Sequence, residues 1–268
     1  MKFDLHTHHE RCGHAKGSIR EYVEAAIDGG LKVIGISDHS PYFAHEEDRP
    51  NPRLTMATSE FNTYVEEVLS LKKEYEDKIE VLLGMESDFL PDVAHVYRRV
   101  LESKPFDYII GSVHDVEEIR IFDRNRWKGL NEQEQIELKE LYYDLIEQSA
   151  RSGMFDILGH IDAMKGNYPE FSNIPTHRID TSLKVISECD VVIEINTSGK
   201  SKDVGGWYPS DEILEKALFY GVKVTFGSDA HVPASVADEF ERVSKRLKEI
   251  GFKEWACFRK RQRYMIEL

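Results

Sequence analysis

The sequence predicts a parallel α/β fold, closed into a barrel with helices outside, and three observations carry that expectation. Seven short β-branched runs are apolar on both faces, as in VIGIS at 33–37 and YIIGSV at 108–113, the mark of parallel strands covered on both sides. Helical patterns alternate with them, and the links are short. Seven βα units bury a parallel sheet most economically by closing it on itself.

The elements follow in order. A first strand is expected at 2–8, then a helix at 18–30, opened by Ser18 with Glu21 in capping-box spacing and closed by Gly29 and Gly30. Strand two spans 31–39. The irregular stretch 41–57, with Pro50 and Pro52, reads as a loop over the barrel mouth. A helix at about 58–77 with Thr58 as N-cap leads to strand three at 79–87, and a helix at 91–103 to strand four at 107–114. Asn131 caps a helix at 131–152 before strand five at 155–162. A helix at 176–189, strand six at 191–198, a helix at 210–220 capped by Ser210, strand seven at 222–231 and a helix at 235–250 complete the series. Residues 259–263, rich in arginine, read as a solvated face or a final edge segment. The 268 residues show no internal linker, repeat or low-complexity segment, so one domain over 1–268 is expected.

Composition narrows the function classes. With 41% hydrophobic and 31% charged residues the chain reads as globular, not disordered. Its net charge of -14 disfavours nucleic acid and anionic membrane surfaces as partners. No run approaches a membrane span, and MKFDLHTHHE has no apolar stretch of the secretion type. Cys12, Cys189 and Cys257 form no paired framework, so a cytoplasmic location is expected.

Titratable residues gather at the carboxyl ends of the expected strands. His6 and His8 are two apart, the strand period, so both imidazoles face one side. His14 follows in the loop; His39 ends strand two, Glu86 strand three and His114 strand four, with His160 near the end of strand five and Asp229 and His231 ending strand seven. Seven of the 11 histidines thus share one face. Nine donors exceed a single zinc site, so two or three divalent ions are expected. Imidazole with few carboxylates suits zinc first, with iron or manganese as alternatives. His9 points to the opposite face, and His45, His95 and His177 fall at ordinary loop or helix positions.

These residues stand in HTH at 6–8, SDH at 37–39, GMES at 84–87, SVH at 112–114, GHID at 159–162 and SDAH at 228–231. The set resembles the polymerase and histidinol phosphatase (PHP) family, and the match runs along nearly the whole chain. The resemblance implies a distorted, TIM-like (β/α)7 barrel with a trinuclear metal centre at its carboxyl face. It implies one ion on His6, His8, Glu86 and Asp229, a second on Glu86 as bridge with His114 and His160, and a third on His14, His39 and His231. SDHSP at 37–41 and EINTSG at 194–199, followed by Tyr208-Pro209, are similar to the monofunctional histidinol-phosphatase branch. An active histidinol-phosphatase of histidine biosynthesis is therefore expected, with a small-molecule phosphate ester as partner. A PHP phosphoesterase acting on phosphotyrosine protein, nucleotide or another small phosphomonoester is the alternative; a catalytically silent, metal-stabilised binding module is the alternative of a different class.

The chemistry such a centre implies is attack by a hydroxide bridging two ions, in line on phosphorus. Glu86 and Asp229 are the expected catalytic carboxylates through the metals. Asp162, two residues beyond His160, either reaches the site as an acid for the leaving group or caps the next segment. Strand six is read as contributing no ligand; its loop supplies Ser198, Lys200 and Lys202 as candidate substrate contacts, Lys165 and Asn167 just after GHID have the same standing, and Arg20 is weaker. Glu46, Glu47, Asp48, Asp115 and Glu117 are candidate partners for a cationic substrate. Cys12 is expected to be a small loop residue.

Overall fold

Residues 1–48 and 54–268 are described by the computed structural model; residues 49–53, including Pro50 and Pro52 of the expected mouth loop, lie outside the described residues. The doubly apolar runs become parallel strands: β1 (Phe3–Asp4), β2 (Val33–Ile36), β3 (Glu80–Leu83), β4 (Glu86–Asp88) and β5 (Ile110–Ser112). A small antiparallel hairpin of β6 (Asp115–Val116) and β7 (Ile119–Arg120) intervenes before β8 (Ile157–Leu158), β9 (Val192–Asn196) and β10 (Val224–Gly227). Pairing runs β1-β2-β3 and β4-β5-β8-β9-β10. Two single bridges join these sheets, His39 with Glu86 and Thr7 with Ala230. The ring therefore closes, first strand against last.

β3 and β4 are two halves of the expected third strand, split at Gly84 and Met85. The buried ring of Tyr108 crosses the barrel there and donates its hydroxyl to Leu5 O at 2.5 Å. A Cβ on Gly84 would stand 2.4 Å from that ring, and one on Gly35 would stand 2.0 Å from its oxygen. Glycine at both positions makes room for the ring. The first half of the strand stays with β2, and the second continues with β5. This break gives the barrel its distortion.

Among the described residues seven α-helices lie outside: α1 (Ile19–Asp28), α2 (Phe61–Glu74), α3 (Ala94–Glu102), α4 (Glu132–Arg151), α5 (Arg178–Glu188), α6 (Asp211–Phe219) and α7 (Phe240–Ile250). Ser18 and Asn131 both cap as expected, each in a reciprocal capping box. Thr58 does not. It opens a single 3-10 turn, and its own N–H donates to Asp48 Oδ1 at 2.8 Å. Ser210 precedes α6 without a side-chain cap bond, and its backbone N–H donates to Asp162. The last helix starts five residues later than expected, since Ala237 donates its N–H to buried Asp4 and turns left-handed at φ 54°.

The arginine-rich segment at 259–263 is the turn of a terminal hairpin, β11 (Glu254–Arg259) with β12 (Gln262–Glu267). It covers the amino-terminal end of the barrel. Trp255 packs its ring 4.9 Å from Phe3 and 4.7 Å from Phe240. Arg259, Arg261 and Arg263 pair with Glu80, Asp156 and Asp190 at the starts of barrel strands. Among the described residues no helix is long and apolar enough to cross a membrane.

Candidate metal centre

The carboxyl ends of the strands bring all nine expected donors into one cluster. Glu86, at the start of β4 and 1% exposed, is its centre. Its Oε2 lies 2.7 Å from His39 Nδ1, 3.5 Å from His6 Nε2 and 3.7 Å from His8 Nε2. Its Oε1 lies 3.1 Å from His160 Nε2 and 3.5 Å from His114 Nε2. Asp229 Oδ1 reaches His8 Nε2 at 2.9 Å and His231 Nδ1 at 3.5 Å. Three groups of donors are compact enough for an ion: His6, His8 and Glu86; His39, Glu86 and His114; and His8, His39 and His231. His14 joins through His231, with the two Nε2 atoms 3.0 Å apart.

Most of these imidazoles have the nitrogen facing away from the cluster engaged by an acceptor. His6 Nδ1 is held by Glu194 at 2.6 Å, His8 Nδ1 by Asp38 at 3.1 Å and His114 Nδ1 by Asp88 at 2.6 Å. The Nδ1 atoms of His14 and His231 donate to Cys12 O and Asp229 O. A neutral imidazole that donates from Nδ1 leaves a lone pair on Nε2. His14 and His231 then present lone pair to lone pair, whereas His114 Nε2 and His160 Nε2 meet at 3.3 Å beside Glu86 Oε1. Such an arrangement fits a shared cation, and His6 Nε2, buried and without a hydrogen-bond partner among the described residues, fits one too.

Charge within the cluster is divided. Burial alone would lower the pKa of His8, but Asp229 and Asp38 outweigh it and push it up to about 9. His114 is likewise pushed up to about 9 by Asp88 and Glu86, against burial. Burial and the neighbouring His8 push His39 down to about 4 and His231 down to about 3. Burial opposes ionisation of Glu86 and Asp229, yet the surrounding imidazoles hold both well below the usual carboxylate range. Both carboxylates stay ionised and available as donors.

The model of the PHP domain family matches residues 4–198, well over half the chain. The chain belongs to the PHP domain family. Among similar PHP proteins, one from Deinococcus radiodurans named probable histidinol-phosphatase is 33% identical over 251 residues, covering 92% of this chain and 93% of that one. The histidinol-phosphatase of Bacillus subtilis is 27% identical over 267 residues, covering 92% and 99%. The fold matches that of the Lactococcus lactis histidinol phosphate phosphatase, solved with zinc, L-histidinol and phosphate, at a TM-score of 0.82 and 20% identity over 98% of each chain. The distorted barrel expected of a PHP domain is the fold observed.

Seven of the nine PHP donors, all but the deeper His6 and His8, line a cavity of about 710 Å³, together with Leu54, Arg120, Phe122 and Lys202. The other expected site residues separate around it. Asp162 does not face the donors: its carboxylate lies 2.7 Å from Lys165 Nζ and accepts Ser210 N–H at 2.9 Å, with Asp162 and Lys165 only 2% and 3% exposed. Lys165 lines a neighbouring cavity of about 610 Å³ with Trp207 and Arg242. Lys200 borders both cavities and pairs with Asp238 at 2.9 Å. Lys202 lies 5.3 Å over the Phe122 ring and forms no ion pair among the described residues. Ser198 Oγ lies 2.9 Å from Asp229 Oδ2 and so braces a donor. Asn167 donates to Phe122 O, and Arg20 pairs with Glu74 on the outer helices. The cavity's further acids are Asp88 and Asp238, and not Glu46, Glu47, Asp48, Asp115 or Glu117. Cys12 is a buried loop residue, donating its thiol to His9 O.

Sequence reasoning passed over Asp38, Asp88 and Glu194, the carboxylates behind the imidazoles. Each had a signal. Asp38 sits inside SDH, Asp88 is one strand period beyond Glu86, and Glu194 is an acid within the apolar run VVIEIN. A carboxylate in a doubly covered strand requires a partner. His9 is buried on the far side as expected, 3.3 Å from the second oxygen of Asp38.

Proposed function

We propose that the chain is a metal-dependent phosphomonoesterase that hydrolyses L-histidinol phosphate to L-histidinol and phosphate, in the histidine-biosynthetic reaction of its named relatives. The observation that carries this reading is the complete set of nine donors converging on Glu86, in a chain aligned almost end to end with histidinol-phosphatases. His6, His8, Glu86 and Asp229 would hold one ion, Glu86 with His114 and His160 a second, and His14, His39 and His231 a third. Zinc is the first choice, on the donor set and on the ion in the Lactococcus lactis structure. When bound, such ions lower the pKa of water and neutralise phosphoryl oxygens.

The chain's own groups do the rest. Three dications against Glu86, Asp229, Asp38, Asp88 and Glu194 leave only about one net positive charge. A phosphate dianion therefore calls for a further cation, and Lys202 at the cavity wall supplies it. Phe122 and Leu54 offer apolar surface to an imidazole ring, and Asp238 offers charge to an amine. The three cysteines, all unpaired, support a reducing, cytoplasmic setting.

Steady-state hydrolysis of histidinol phosphate, phosphotyrosine and an aryl phosphate by the zinc-loaded protein tests the assignment. Histidinol phosphate is expected to lead in kcat/KM by about 100-fold or more. Equal, slow turnover of all three overturns the substrate, and no turnover of any favours a silent binding module.

A further inference from the structure

The one barrel strand without an expected ligand carries the carboxylate that ties three ligand-bearing segments together. Glu194 on β9 is 1% exposed. Its Oε1 accepts His6 Nδ1–H at 2.6 Å, beyond β1. Its Oε2 accepts the backbone N–H of His160 at 3.2 Å, beyond β8, and Asn196 Nδ2–H at 3.0 Å. Asn196 Nδ2 also reaches Asp229 Oδ2 at 3.2 Å, beyond β10. The neighbouring strand leaves space for this carboxylate: a Cβ on Gly227 would stand 2.0 Å from Glu194 Oε1. Gly227 does not have a left-handed backbone, so clearance rather than a turn calls for glycine there.

We infer that Glu194 is a positioning residue that sets His6, His160 and Asp229 in register, so that the first two ion positions form together. Neither Glu194 nor Asn196 contacts the third position, on His14, His39 and His231, which meets the other two only through Asp229 and Glu86 and is expected to keep its ion. The inference rests on the metal-centre reading above. Its chemistry is acceptor geometry. A carboxylate receives donors on both oxygens, whereas glutamine of the same shape sets an NH2 group against one of them.

The test is zinc binding by chelator competition on wild type and Glu194→Gln, with the visible spectrum of the cobalt-substituted proteins and the unfolding midpoint of the metal-free ones. The variant is expected to keep one ion at wild-type affinity, to bind two about 10- to 100-fold more weakly, and to show an altered cobalt spectrum. Unchanged zinc affinity and spectrum, or an equal loss at all positions, overturns the inference. So does a lowered metal-free midpoint with unchanged zinc affinity, which marks a purely structural role. A wild type that takes up no zinc overturns the metal-centre reading instead. If Glu194→Gln does not fold, Glu194→Asp, with charge kept and reach shortened, carries the same test and the same outcomes.

Discussion

The Nε2 atoms of His14 and His231 face each other at 3.0 Å, while the Nδ1 of each is committed to a backbone carbonyl. Left alone, that geometry sets two lone pairs in opposition. A cation between them removes the conflict, so the folded state gains from ion binding in a way the unfolded chain does not. Zinc at about 100 times its Kd is expected to raise the unfolding free energy by about 2.7 kcal/mol per site. Denaturant unfolding with and without chelator measures it. An identical midpoint in both conditions counts against the ion.

Glu86 contacts five imidazoles, more than any other donor. Glu86→Gln keeps the shape and removes the charge that His39, His6 and His114 face. Hydrolysis is expected to fall at least about 1,000-fold, about 4 kcal/mol of transition-state stabilisation, with the circular dichroism spectrum intact. A fall of less than tenfold would count against the proposed bridging role of Glu86.

The two loop lysines are expected to behave differently. Lys202→Ala removes a cavity-wall cation that has no ion-pair partner among the described residues and should lower kcat/KM by about 10- to 100-fold. Lys200→Ala breaks an exposed pair with Asp238 and Glu239 and should cost little. Equal losses in steady-state assays would reassign the phosphate contact.

A pH effect on stability is expected from Lys139. Its side chain is 2% exposed and donates to Phe171 O and Ile174 O, each at 2.8 Å. Burial pushes its pKa down to about 8. Below that pH folded and unfolded chains both hold the proton, and stability does not change with pH on its account. Between about pH 8 and its ordinary value the unfolded chain holds more of the proton, so stability rises with pH. Relative to Lys139→Met, the wild type should gain about 2 to 3 kcal/mol across that window in urea unfolding. Parallel pH profiles of the two proteins would exclude the effect.

The cluster was legible in the sequence wherever strand periodicity holds. Thr7, between His6 and His8, bridges Ala230 in parallel, and spacing of two sets both rings on one side, 4.9 Å apart. Beyond β8 that rule ends: His160 has φ 24°, the alternation is lost, and Asp162 swings away to Lys165 and Ser210. No local pattern announces a turn of that kind at a histidine. The late start of α7 has a similar origin, in a hydrogen bond from Ala237 to Asp4 far away in the chain. Glu194 was visible as an acid among apolar residues, but its role depends on three partners that meet only after the barrel closes.

The terminal hairpin, with Trp255 seated on Phe3 and Phe240, stoppers the far end of the barrel. Ions, substrate and product must then share one doorway. A molecule being processed would bar the exit of any ion held at the cluster, so a chelator should strip the resting protein faster than the protein at work.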